Sequence, residues 1–389
     1  MTIDGAGLGR EVYDVGVIGG GPAGSAAALT LARAGRRVLL VEANEAAAFK
    51  IGEALPPAAR PLLSDLGVWD YFAADGHLPC YGNLSAWGGP RLSETAFIFD
   101  PNGHGWHLDR ARFDARLRAC ARLAGSETCE ATALKRLVRL PQGNWHISLA
   151  GPGGELEARC RWLIDATGRR SALARRQGAR LCQDDHLIAF FALFSLSDKA
   201  AAPDEDSRTL IEAAPDGWWY TALLPSKLRV VVYLTDADTV SPRALCEKES
   251  YLSLLDRTEH IRARLAAHGY RMESAPRGAA AHSARLASFD GEGWLAVGDA
   301  AISFDPLSSQ GMLTALFTGM EAGDALDAHL AGDPDAILRY RLRLATIYEA
   351  YLRNLATFYS FEARWPGRAF WRRRHNGAAS RGRPAHSGA

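Results

Sequence analysis

Three glycines spaced Gly19-x-Gly21-x-x-Gly24, with Glu42 eighteen residues further on, carry the clearest chemistry in this chain. Gly19 permits a tight turn, Gly21 lets a pyrophosphate approach the backbone, and Gly24 lets helix and strand pack closely. Pro22 and Ala23 open a helix whose free N–H groups and partial positive charge suit phosphates. Glu42 can accept hydrogen bonds from an adenosine ribose. The elements that must position these residues follow from pattern. Residues 13–18 (YDVGVI) read as an apolar strand, 25–34 as a helix ending at Gly35, and 37–41 (RVLLV) as a second strand. A glycine motif alone is weak, but strand, glycines, helix, strand and acid in this order specify a dinucleotide site.

Three later segments choose FAD over a nicotinamide. Residues 162–168 (WLIDATG) are an apolar strand ending in Asp165-x-x-Gly168. Residues 294–301 (WLAVGDAA) are another, ending in Gly298-Asp299, with Asp299 placed to meet ribityl or ribose hydroxyls. Then Asp305-Pro306-Leu307-Ser308-Ser309-Gln310-Gly311 leads into a helix from Met312 toward Ala325. That loop and helix N-terminus would lie at the pyrimidine end of an isoalloxazine, where the dipole favours negative charge on the reduced flavin.

Composition narrows the class. The 389 residues carry 45 basic and 44 acidic side chains, a formal net charge of +1, so nothing pulls the whole chain toward nucleic acid or an anionic membrane. Hydrophobic residues are 48% and charged residues 23%, ordinary for a globular protein. The length calls for two closely packed domains. Six scattered cysteines form no metal-type cluster and read as reduced thiols, no apolar run is long enough to span a bilayer, and a cytoplasmic location is expected. Only five of the basic residues are lysine: Lys50, Lys135, Lys199, Lys227 and Lys248.

The chain resembles flavoprotein monooxygenases of the p-hydroxybenzoate hydroxylase fold over about residues 12–330. It is most similar to the branch holding flavin-dependent tryptophan halogenases, geranylgeranyl-reductase-like proteins and the flavoproteins that mature tryptophylquinone cofactors. Lys50-Ile51-Gly52-Glu53-Ala54-Leu55-Pro56-Pro57 resembles that branch's GE-x-x-x-P stretch, and Arg110-Ala111-Arg112-Phe113-Asp114 its R-x-x-F-D helix start. The resemblance implies that Arg110 lies near the cofactor phosphates. Lys50 would contact cofactor or reductant. It further implies an α/β fold: a Rossmann-type FAD-binding domain, an antiparallel-sheet substrate domain and C-terminal helices. Dioxygen would be the co-substrate, and electrons would come from NAD(P)H directly or from a separate flavin reductase.

In this branch, hydroxylases and halogenases both begin from a flavin C4a-hydroperoxide. Halogenases then use a lysine a few residues before a tryptophan and a glutamate in the flavin loop. Here residues 78–87 hold no lysine, nor does any position between Lys50 and Lys135, and Ser308 stands where the glutamate would be. The halogenase Trp-x-Trp-x-Ile-Pro motif is matched only with altered spacing at 217–225 (GWWYTALLP). The Ser-Ser-Gln-Gly loop, residues 103–107 (GHGWH) and the Gly-Trp-Trp-Tyr segment look most like the cysteine-tryptophylquinone maturation flavoproteins. The expected activity is therefore hydroxylation of an aromatic substrate, tryptophan or another indole, free or held in a precursor peptide or protein. It would serve cofactor or natural-product biosynthesis. Halogenation and isoprenoid reduction are the alternatives.

The expected organisation is an FAD-binding domain from 12–77, 105–180 and 286–330, a substrate-binding sheet from 78–104 and 181–285, a helical cap over 331–372, and a flexible basic tail at 373–389. Strand-like segments at 187–196, 218–224 and 228–234 would wall the flavin, with 81–87 and 95–99 adding strands. Ten tryptophans suit an aromatic pocket, and Trp218, Trp219 and Tyr220 are its best lining residues; Trp365, Phe370 and Trp371 would line or lid it. Proton-transfer groups would come from His77, His104, His107 and Glu53, although His107 could equally be a satisfied core histidine and Glu53 a pairing group. The catalytic candidates are Glu53, His107, Ser308, Ser309 and Trp219.

Overall fold

The computed structural model describes residues 12–45, 49–196 and 204–381, with backbone alone for 377–381. Lys199 lies outside the described residues.

A mainly parallel sheet organises the first half. Its strands run in the order Asp290–Gly291, Trp294–Ala296, Gly154–Asp165, Val12–Ile18, Val38–Val41 and Glu127–Cys129. Register decides what this sheet presents. Ile18 lies beside both Val41 and Asp165, and Asp165 beside Ala296. The chain therefore leaves the sheet at Gly19, Glu42, Ala166 and Val297 along one edge, the carboxyl edge where open α/β sheets bind ligands. Val38–Val41 is buried at every position, as expected of a strand covered on both faces. Two strands missed by pattern, Ala133–Arg139 and Trp145–Gly151, extend this sheet as a meander that returns through the long strand Gly154–Asp165.

The helix Pro22–Arg33 packs against the helix Gly311–Leu330. Gly319 makes this possible, since a Cβ there would lie 2.1 Å from the Ala23 carbonyl oxygen. Two distant sequence motifs are thereby locked into one body.

The second sheet runs Tyr270–Met272, Leu187–Leu196, Arg229–Asp236, Gly217–Leu223, Thr209–Ala214, Gly82–Ala86 and Ser93–Ala96, antiparallel except where Thr209–Ala214 meets Gly82–Ala86. Residues 95–99 depart from expectation: the strand ends at Ala96 and Phe97–Phe99 form a 3-10 turn with Ile98 and Phe99 exposed. One face of this sheet packs Trp219, Tyr233 and Tyr251, and the other packs Trp218, Val232 and Trp371.

The helices Ala336–Ser360 and Ala369–Arg381 complete the fold. The expected flexible tail at 373–389 is corrected at its start. Arg374 pairs with Asp236 at 2.9 Å, Arg373 with Asp238 at 2.7 Å, and His375 Nε2 meets the Glu362 carbonyl at 2.9 Å. A run of arginines looks solvated along the chain, but its counter-ions sit at the end of a strand some 135 residues away. Phe370 and Trp371 are likewise core rather than a lid: Trp371 is fully buried, edge-on to Trp87, and its Nε1 donates to the Ala214 carbonyl at 3.0 Å. Trp371→Ala is expected to cost about 3–5 kcal/mol of folding stability, read by urea unfolding. An unchanged midpoint would show that the last helix is not part of the cooperative unit.

Candidate active site

A cavity of about 340 Å³ lies between the carboxyl edge of the parallel sheet and the Trp218 face of the second sheet. Of the residues expected to bind cofactor, Gly21, Pro22, Ala23, Arg110, Gly168, Asp299, Pro306, Gly311 and Met312 line it. So do Glu53 and Ser309 from the catalytic set.

The lining fits FAD. Gly21 precedes the helix Pro22–Arg33 with no side-chain cap, and a Cβ on it would meet nothing within 4 Å. The first-turn N–H groups thus have neither a side-chain partner nor an obstruction before them, the condition for a bound phosphate. Gln310 gives the helix Gly311–Leu330 no side-chain cap either, so a second helix N-terminus opens on the same cavity. Behind these, Gly24 is forced: a Cβ there would sit 1.9 Å from the Gly19 carbonyl oxygen. Glu42 accepts the Gly20 N–H at 2.7 Å and the Asn44 N–H at 2.8 Å, which ties the glycine turn to the next strand. Gly298 packs close to Ala23 and donates its N–H to Thr318 at 2.9 Å.

Arg110 reaches the cavity while donating to the Gly52 carbonyl at 3.0 Å and pairing with Asp114. Lys50 instead bonds Asp114 at 3.1 Å on the rim and does not line the cavity. Asp299 pairs with Arg169 at 3.4 Å, and Arg169 also ties down the His282 and Phe304 carbonyls.

Several expected site residues are corrected. Trp219 points away from the cavity, stacked on Tyr233 with ring centroids 4.6 Å apart. Side chains alternate along a strand, so the neighbours Trp218 and Tyr220 face the cavity and Trp219 cannot. His107 is fully buried outside the cavity, its Nδ1 on the Leu223 carbonyl at 2.8 Å and its Nε2 on Thr209 Oγ1 at 2.9 Å. Burial pushes its imidazole down to about 4, so it stays neutral and ties its short strand Gly105–His107 to the second sheet. His77 is held down to about 4 by burial as well, and neither it nor His104 lines the cavity. Asp165 is consumed by its own turn, accepting from Thr167 N–H, Thr167 Oγ1 and Ala174 N–H at 2.9, 2.6 and 2.7 Å. It shapes the strand exit and touches no ligand space. Ser308 donates back to the Asp305 carbonyl at 2.9 Å, and Gln310 is exposed.

Glu53 holds the most distinctive chemistry. It is 2% exposed, accepts the Gly52 N–H at 3.2 Å and shares the cavity wall with the Tyr220 phenol. Desolvation raises its carboxyl above the usual range, against the pull of its hydrogen bonds and of Arg110. Burial and the adjacent Glu53 raise the Tyr220 phenol well above its ordinary value. A buried carboxyl beside an apolar wall of Ile211, Trp218, Val232 and Leu234 can take a proton that water would otherwise carry. Asp305 also lines the cavity, buried, and sequence reading passed over it as the start of a loop.

Fold and site define a flavoprotein. The chain matches the FAD binding domain family over residues 12–354 and belongs to it. It is 34% identical over 370 residues to LodB of Marinomonas mediterranea, named as an FAD-dependent oxidoreductase, covering 94% of this chain and 97% of that protein. It superposes on the myxobacterial chondrochloren halogenase CndH with a TM-score of 0.84 and 26% identity, over 94% of this chain and 86% of that one. It shares the fold of QhpG, a peptidyl tryptophan dihydroxylase, with a TM-score of 0.74 and 24% identity, covering 94% and 79%. The protein is an FAD-dependent oxidoreductase, and its cofactor is FAD. Among the described residues no helix is long and apolar enough to cross a membrane.

Proposed function

We propose that this protein is a monooxygenase that hydroxylates an aromatic substrate, an indole or tryptophan side chain, held against Trp218 and Tyr220. The observation that carries the reading is the buried Glu53–Tyr220 pair on an aromatic cavity wall. FAD when bound supplies the electron pair and the activation of dioxygen. The protein's own residues do the rest. The glycine turn and Arg110 anchor the cofactor, and the second sheet excludes water. Glu53 accepts the proton that the substrate ring releases, and Tyr220 holds that carboxylate in place. Among the described residues no lysine lines the cavity, and Ser309 and Pro306 form its loop wall.

A second reading is halogenation, favoured by the likeness to CndH. Reduced protein incubated with tryptophan or a tryptophan-containing peptide, dioxygen and bromide separates the two. The expected product is a 16 Da gain without a bromine isotope doublet; a doublet would establish halogenation instead. A protein-borne substrate is expected to show the same gain in intact mass after co-expression with a precursor chain. Electrons would come from NAD(P)H or from a partner reductase.

A further inference from the structure

Behind the loop 305–311 lies a second cavity of about 350 Å³, lined by Asp185, Ser283, Leu355, Ala356 and Tyr359 among others. Asp305 lines both cavities. Its Oδ2 accepts the Tyr359 hydroxyl at 2.7 Å and its Oδ1 accepts the Leu307 N–H at 2.9 Å. Tyr359 in turn accepts from Trp218 Nε1 at 3.1 Å, and Trp218 belongs to the wall of the first cavity. The Asp305 N–H donates to Tyr351 at 2.7 Å, whose hydroxyl lies 2.6 Å from Ser283 Oγ. At this point a single residue, its carboxyl held by Tyr359 and its backbone by Tyr351, touches both spaces.

We infer that Asp305 is a proton relay, passing protons from the second cavity to the oxygen reduced in the first. The inference needs only the FAD-dependent oxidoreductase, not the choice between hydroxylation and halogenation. Hydroxylation balances as C–H + O2 + 2e⁻ + 2H⁺ → C–OH + H2O. Halogenation balances as C–H + X⁻ + O2 + 2e⁻ + 3H⁺ → C–X + 2H2O. The reduced cofactor provides the electrons in both, and each turnover draws protons toward a mostly apolar wall. The Asp305 O–H bond breaks, its proton goes to oxygen, and the carboxylate takes up a proton from bulk solvent by way of the second cavity.

The groups facing Asp305 are Asp185 from the loop before Leu187–Leu196, Tyr351 and Tyr359 from the long helix, and Arg374 from the last one. His186, Asp236 and Asp238 line the second cavity with them. Burial, then Asp185, pushes the Asp305 carboxyl up to about 6 against Arg374 and its hydrogen bonds. It can therefore both hold and release a proton near neutrality.

Asp305→Asn tests this with four readouts: FAD affinity, melting, rate against pH, and product formed. The variant is expected to bind FAD within about threefold of the parent and to form product about tenfold or more slowly. It should also lose the decline in rate as pH rises through 6. In the apoprotein, a folded-state value above the unfolded one gives stability that is present below about 4 and lost as pH rises through 6. The melting difference between Asp305→Asn and parent should therefore change across that window. Ala356→Phe narrows the second cavity at a residue that does not line the first. It should slow product formation with FAD affinity unchanged. A parental pH profile in Asp305→Asn, or a parental rate in Ala356→Phe, overturns the relay. If Asp305→Asn does not fold, Ala356→Phe decides.

Discussion

Replacing Glu53 with glutamine is expected to lower product formation by about 10²–10⁴-fold while leaving FAD binding near the parent's. Glutamine keeps the volume beside Tyr220, so the buried wall is not emptied. What it removes is the capacity to take a proton. The sign with pH follows. Burial raises the Glu53 carboxyl, and a base must be ionised to act, so the parent's rate should climb as pH rises through that raised value. The variant should lose this rising limb. Asp305 acts as an acid and sets the falling limb, so the parent's profile is bell-shaped, and each substitution should remove one side of it. Stopped-flow product formation across pH 4 to 9 reads both limbs. A Glu53→Gln variant with parental rate and limbs would remove Glu53 from the chemistry. Stability moves the other way: the raised carboxyl favours the folded state only when protonated, so stability is lost as pH rises, and glutamine removes that loss.

The second large effect is expected at Gly24→Ala. The added methyl would sit 1.9 Å from the Gly19 carbonyl oxygen and 2.9 Å from the Ala166 Cβ. Both neighbours are held by the sheet edge, so the turn must give. Overpacking of this kind costs about 1–3 kcal/mol or more. Displacing the glycine turn by that amount should weaken FAD binding by about 10- to 100-fold, read by flavin fluorescence titration. Gly21→Ala serves as the contrast. Its methyl meets no protein atom within 4 Å, so it should leave folding intact and weaken FAD binding only through the space the pyrophosphate needs. Equal loss of folding in both would mean that the turn is not shaped by the cofactor.

The cofactor half was legible because its signals are local. The glycine turn, Glu42 and the exits at Ala166 and Val297 each follow an apolar strand, and parallel register alone brings them to one edge. The substrate half depends on long-range register. Trp218 and Trp219 are adjacent in sequence and lie on opposite faces, and only the pairing of Gly217–Leu223 with Arg229–Asp236 shows which is which. His107 looked like an acid–base residue by type. Its partners Leu223 and Thr209 are more than 100 residues away and leave it no free nitrogen. Asp305 was overlooked for the converse reason: its significance lies in Tyr359, 54 residues on, and in a cavity that no motif announces. Arg373 and Arg374 carry the same lesson, since their anchors on Asp236 and Asp238 turn a seemingly solvated tail into a packed helix.

Hydroxylation of an aromatic ring is tested most directly with ¹⁸O2. Reduced protein, a tryptophan-containing peptide and bromide would be mixed under ¹⁸O2, and the peptide mass then measured. The expected result is a gain of 18 Da per oxygen inserted, lost in Glu53→Gln. A bromine doublet, or an added oxygen that carries no ¹⁸O label, would contradict the assignment.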